Sequence, residues 1–285
     1  MKNAILAILL TGVFSTAYGQ EKALLYEVSG KGLSQSSYLY GTFHIVCPAD
    51  LKLTPATARA VSASQQVYLE LDMDDPRLKT AAMELMMLPD GKNLKDFMSA
   101  ADRAVLDRYL TQTVGAGLAQ LGGLKPLALV ALIYQGILGC QPASYDQTFA
   151  QMAGNTRKPV LGLETVEQQI SIFDKVPMED QVKALVETAR RPEEARKEIV
   201  TLMAAYKAED LPQLMKLSKA SEFNTESPEF MEDLLANRNA NWIPIIERAA
   251  RNKPTFFAFG AAHLGGEEGV VNLLRAKGYA VKAIH

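Results

Sequence analysis

The chain has 285 residues, 48% hydrophobic and 22% charged, with a formal net charge of −2. That length buries a sizeable core without disulfide staples or a partner subunit. The near-neutral balance argues against a dedicated nucleic-acid binder, and neither oligomeric state nor a macromolecular partner can be read from it.

The first residues read as an export signal. Lys2 precedes the apolar run from Ala4 to Val13, and Ala17 and Gly19 sit at cleavage spacing. Residues 1–19 are expected to be removed, leaving residues 20–285 as a single exported domain, periplasmic or secreted, with no membrane span. Cys47 and Cys140 are the only cysteines. In an oxidising compartment they are expected to form a disulfide.

Two β-rich runs, Leu24 to Val28 and Ser37 to Thr42, flank a Gly/Ser/Lys segment and predict a hairpin that delivers Gly41. Past Pro48 and Pro55 the pattern predicts a short helix over residues 56–65, then a buried strand over 67–71 that closes on acidic residues. The same order returns at the C-terminus: a strand over 255–259, the turn Gly260 to His263, a helix over 267–277 and a strand over 279–284. The expected class is therefore α/β, a mixed sheet built from two strand, Gly-x-x-His, helix, strand repeats. A large helical insert, roughly residues 76–250, separates them, with one further strand near 159–163 running into Glu164. A shared sheet would place both turns at carboxyl ends of strands, where open α/β sheets bind ligands.

The chain has three histidines, and His44 and His263 each follow a glycine by three positions. A glycine there is expected to let the backbone turn sharply, so that the imidazole projects over the sheet edge. Glu70, between Leu69 and Leu71, points away from their apolar face, and Asp72 shares its side. His44, Glu70 and His263 make an N/O donor set suited to a divalent transition metal (Mn, Co or Zn), which would activate water by lowering its pKa. The spacing is not that of H-E-x-x-H. On the helix expected over 230–250, Arg238 falls in a stripe of Met231, Leu234, Leu235, Trp242, Ile245 and Ala249. A buried guanidinium needs a carboxylate, and Glu70 and Glu164 are the candidates.

The segments YLYGTFH, YLELD, VLGLETVEQQ, NRNANW and FAFGAAHLGGEEGVVNLLRAKGY resemble the TraB/GumN family, which includes the Tiki proteases and is distantly similar to erythromycin esterase and the ChaN haem-binding proteins. The resemblance implies a metal or catalytic centre at His44, Glu70 and His263, supported by Glu164, Arg238 and Asn239. The expected function is a metal-dependent hydrolase acting on a peptide or other small substrate, with Arg238 stabilising developing negative charge. Two rivals stand beside it. One is a metal-free hydrolase with His44 as general base; the other is a binding protein that sequesters a peptide or haem-like ligand in the same cleft.

Overall fold

A computed structural model describes residues 22–221 and 227–285; the export signal read over residues 1–19 lies outside them. One mixed sheet organises the fold. Its strands are β1 (Leu25–Ser29), β2 (Ser37–Thr42), β3 (Gln66–Leu69), β4 (Val160–Gly162), β5 (Thr255–Gly260) and β6 (Ala280–Ile284), in the spatial order β4-β3-β5-β2-β1-β6. The expected hairpin is present, with Leu25 opposite Tyr40. β1 is antiparallel to both of its neighbours, β2 and β6. From β4 to β2 every pairing is parallel, so four adjacent strands end at one edge.

Helices cover both faces of the sheet. α1 (Pro55–Ala63) follows β2, opens with Thr54 accepting from the Thr57 amide, and has proline in its first turn. On its side α6 (Tyr145–Asn155) packs Phe149 against Tyr40 and Phe256, with ring centroids 5.2 and 4.8 Å away. On the other face α12 (Arg238–Asn252) lays Trp242 against Phe259 at 5.5 Å, and α13 (Val270–Ala276) leads into β6. Phe256 and Phe259 are an odd number of positions apart on one strand, which is why they serve opposite faces.

The two Gly-x-x-His turns are not placed alike. Gly41 pairs in register with Phe259, and Gly260 with Thr42, so the glycines are offset by one residue and face opposite sides. His44 lies in a bend that continues into an isolated bridge at Val46, whereas Ala261–His263 form a 3-10 turn.

Between the ends, α3 (Ala100–Val114), α4 (Leu118–Leu121), α5 (Pro126–Leu138) and α8 (Met178–Arg190) surround a core of their own, to which α2 (Leu78–Leu85) adds no buried residue. Leu106, Leu110, Leu129 and Ile133 are its centre. The start of α9 (Pro192–Lys207) closes that core, while Met203 and Tyr206 near its other end join the sheet core with α10 (Leu211–Lys219). α7 (Val166–Phe173) follows β4 and reaches the sheet edge. No helix among the described residues is long and apolar enough to cross a membrane.

The helix expected over 230–250 is one rod with a change of pitch. α11 (Pro228–Met231) passes into a π-helical segment, Glu232–Asn237, before α12 begins. The wider turn rotates the apolar phase. Leu234 and Leu235 fall outside the core, while Arg238, Asn239, Trp242, Ile243 and Ile246 are buried. Such a segment commonly marks a functional position in a helix.

Candidate functional site

Each of the four parallel strands delivers a polar residue at its carboxyl end. Glu164 lies just beyond β4, Glu70 just beyond β3, His263 one turn after β5 and His44 two residues past β2. α12 supplies Arg238 and Asn239 from one face, and α6 supplies Asp146 from the other. All six residues named from the sequence thus converge on one edge. Asp72 does not join them: the strand ends at Leu69, and the Asp72 carboxylate caps the Asp74 amide in a local turn.

Arg238 is the hub. Its Nε donates to Glu164 Oε2 at 3.0 Å, and its Nη2 to Glu70 Oε2 and Glu164 Oε1, both at 2.6 Å. Nη1 donates to the Leu234 carbonyl at 3.1 Å, a group on the π-helical segment, and lies 3.0 Å from His263 Nε2. A guanidinium has five N–H donors, and all five are spent. The side chain stays charged: burial opposes the charge, but Glu70 and Glu164 outweigh it and raise its pKa.

The tautomer of His263 follows from its neighbours. Asn239 Nδ2 donates to the Glu268 carbonyl, so Oδ1 is the atom facing His263 Nδ1 at 2.7 Å and must accept. Nδ1 then carries the proton and Nε2 offers its lone pair to Arg238. Burial, with the positive charges of Arg238 and His44, outweighs Glu70 and holds the imidazole down to about 3, so it is neutral near pH 7.

Glu70 Oε1 accepts the Gly260 amide at 2.7 Å, and Oε2 accepts Gln169 Nε2 at 2.9 Å besides Arg238. Burial would raise its pKa, but the charges of His44 and Arg238 and the Gly260 amide bring it down to about 2. Glu164 is bracketed by Gln169 and Trp242 as well as Arg238. This half of the site is closed.

The other half is open. The His44 side chain is 61% exposed, with Nε2 3.8 Å from Glu70 Oε1 and Nδ1 3.7 Å from Asp146 Oδ2. Partial burial and Arg238 oppose a proton there, but the two carboxylates prevail and raise its pKa to about 9. A Cβ at Gly260 would lie 3.1 Å from His44 Nε2, and one at Gly41 only 2.6 Å from Leu264 Cδ1. The glycines therefore serve close approach; Gly260 has φ −49° and Gly41 has no positive φ, so neither uses the left-handed freedom that glycine brings to a sharp turn. Thr42, on the same face as Gly260, buries a hydroxyl that has no hydrogen-bond partner among the described residues.

As arranged, the donors do not fit a shared metal ion. Both His263 nitrogens and both Glu70 oxygens are engaged, and the Arg238 guanidinium, itself a cation, links Glu70 to His263. Among the described residues no three His, Cys, Asp or Glu side chains are grouped to hold one.

Asp146, Gln169 and Thr42 were not identified from the sequence. Gln169 lies inside the segment VLGLETVEQQ. Asp146 had one indirect signal: Cys47 and Cys140 do form a disulfide, with Cα atoms 5.9 Å apart, and that bond sets the 140s beside the 40s.

With the site in view, comparison with known proteins places the chain. The TraB/PrgY/gumN family pattern matches residues 24–283, nearly the whole described chain. The chain belongs to that family. Among curated relatives, the metalloprotease TIKI2 of Xenopus tropicalis is 25% identical across 86% of this chain and 57% of its own length. The metalloprotease TIKI1 of Danio rerio is 23% identical across 86% and 60%, and that of Homo sapiens 25% across 86% and 59%. The chain thus spans less than two thirds of the length of these family members. No solved structure matches it significantly.

Proposed function

We propose that this family member is an exported hydrolase that cleaves peptides at the open half of the site. The observation that carries the reading is the exposed His44 set between Glu70 and Asp146 at the carboxyl ends of the parallel strands. A peptide laid along that edge meets the His44 imidazole first. With its pKa raised to about 9 that ring favours the protonated form, so it acts as an acid toward the departing amine nitrogen, neither as the metal ligand expected from the sequence nor as the general base of the metal-free rival. Glu70 Oε1, ionised and held by the Gly260 amide, is placed to orient a water beside the same ring.

The closed half does not touch substrate on this reading. Arg238 is 6% exposed with every donor occupied, so it fixes Glu70, Glu164 and His263 and has no donor left for a developing oxyanion. Export is supported by the signal-like N-terminus and by a disulfide, which belongs to oxidising compartments. Metal dependence is supported by the donor types of His44, Glu70 and His263 and by the likeness to metalloproteases. For His44, Glu70 and His263 to serve Mn, Co or Zn, Arg238 would first have to leave its place between Glu70 and His263.

The test is a peptide-library digest with the mature chain, repeated after dialysis against chelator and again with Mn or Co restored. Cleavage that persists without metal supports the reading, and cleavage restored only by metal transfers it to a rearranged metal site. A peptide bound at one per chain and recovered intact would replace hydrolysis by sequestration.

A further inference from the structure

We propose that Asp146 is a positioning residue for His44, held opposite it by the Cys47–Cys140 disulfide. The ties between the two segments are independent of one another. Val46 and Ala143 exchange a reciprocal pair of backbone hydrogen bonds, at 3.1 and 2.8 Å. The disulfide joins the next residue, Cys47, to Cys140. The Lys52 amide donates to the hydroxyl of Tyr145, the residue before Asp146, at 3.2 Å. Tyr145 is itself fixed, buried beside Tyr40 and Phe149. Asp146 stands in the first turn of α6, behind a Ser144 cap, so its carboxylate is aimed by a helix and not by a loose loop.

The geometry gives this arrangement a purpose. His44 lies in a bend and is mostly exposed, so nothing in its own strand fixes the ring. Of the carboxylates beside it, Glu70 is fixed by Arg238, Gln169 and Gly260 and faces Nε2. Asp146, 17% exposed, is the one that faces Nδ1. Anchoring Nδ1 leaves Nε2 directed at Glu70 Oε1 and the bare Cα of Gly260, the place where a substrate atom can approach. The 3.7 Å separation is longer than a hydrogen bond, and catalytic contacts commonly tighten only when substrate arrives.

The inference rests on the hydrolase reading for its rate arm alone; a spectroscopic arm stands apart from it. With only three histidines in the chain, the ring ¹⁵N resonances of His44 are assignable by comparison with His44→Gln. In the mature chain, Asp146→Asn is expected to shift both His44 ring nitrogens while the melting temperature holds. Where peptide is cleaved, kcat should fall roughly 10- to 100-fold with KM nearly unchanged, and Asp146→Glu should recover part of the loss. Should Asp146→Asn fail to fold, reduction of the disulfide in the unaltered chain is expected to shift the same resonances. His44 resonances identical in the original and the Asp146→Asn protein overturn the proposal, as do unmoved resonances on reduction. If the unaltered chain cleaves nothing, the hydrolase reading falls while the ring shifts still decide the positioning.

Discussion

Arg238→Met is the sharpest perturbation this fold offers. The substitution keeps much of the aliphatic stem but removes the cation shared by Glu70 and Glu164, whose side chains are 7% and 6% exposed. Leaving buried charges without their partner costs about 3–5 kcal/mol. Gly260 and Gln169 still serve Glu70, and Trp242 and Gln169 still serve Glu164, which keeps the expectation within that range. For a domain in this size class the loss corresponds to roughly 6–20 °C in Tm. The sign with pH is fixed by Glu70. Its pKa is lowered from 4.5 to about 2, so its contribution is complete above pH 4.5 and is lost as pH falls toward 2. Without Arg238 that pKa rises, so the gap between original and variant should narrow below pH 4.5. Urea unfolding at pH 7 and pH 4 measures both quantities, and adding Glu70→Gln to the variant should cost less than the two single changes summed. A variant within about 1 kcal/mol of the original at pH 7 would falsify the hub assignment, since surface substitutions alone stay near that range.

The two glycines should separate stability from activity. Gly41→Ala sets a Cβ 3.0 Å from the Ala261 backbone, so unfolding should show a loss of about 1–3 kcal/mol. Gly260→Ala sets its nearest contacts on the exposed His44 ring and Glu70 Oε1, at 3.1 and 3.4 Å, so peptide cleavage should drop at least about tenfold while Tm moves little. Equal effects on both properties at both sites would contradict the two roles. Hydrolysis should decline as pH rises through about 9, where His44 gives up its proton, and a rate that climbs there instead would restore the base role. Replacing both cysteines by serine opens a link across 93 positions, worth about 4–5 kcal/mol in the chain-entropy account, and calorimetry finding no change would show the segments held by packing alone.

Much of this was legible in the sequence because it is local or compositional. β-rich runs, prolines ahead of an amphipathic stretch and glycines near strand ends follow from nearest-neighbour chemistry, and they yielded the strands, α1 and the two histidine turns within a few residues. The need of Arg238 for Glu70 or Glu164 followed from the cost of burying a charge, and the structure supplies both. What the sequence could not decide is where elements distant along the chain meet. The one-residue offset of Gly41 and Gly260 is a property of strand register. The π-helical turn takes Leu234 and Leu235 out of the core and so breaks the periodicity from which the Arg238 stripe was read. Asp146 reaches His44 only because a disulfide and a backbone bridge join segments that share no local pattern. Most consequentially, donor types alone made His44, Glu70 and His263 look like free ligands. Only the folded chain shows the Arg238 guanidinium linking Glu70 to His263, because a side chain's lone pairs are assigned by every neighbour in space and not by its neighbours in sequence.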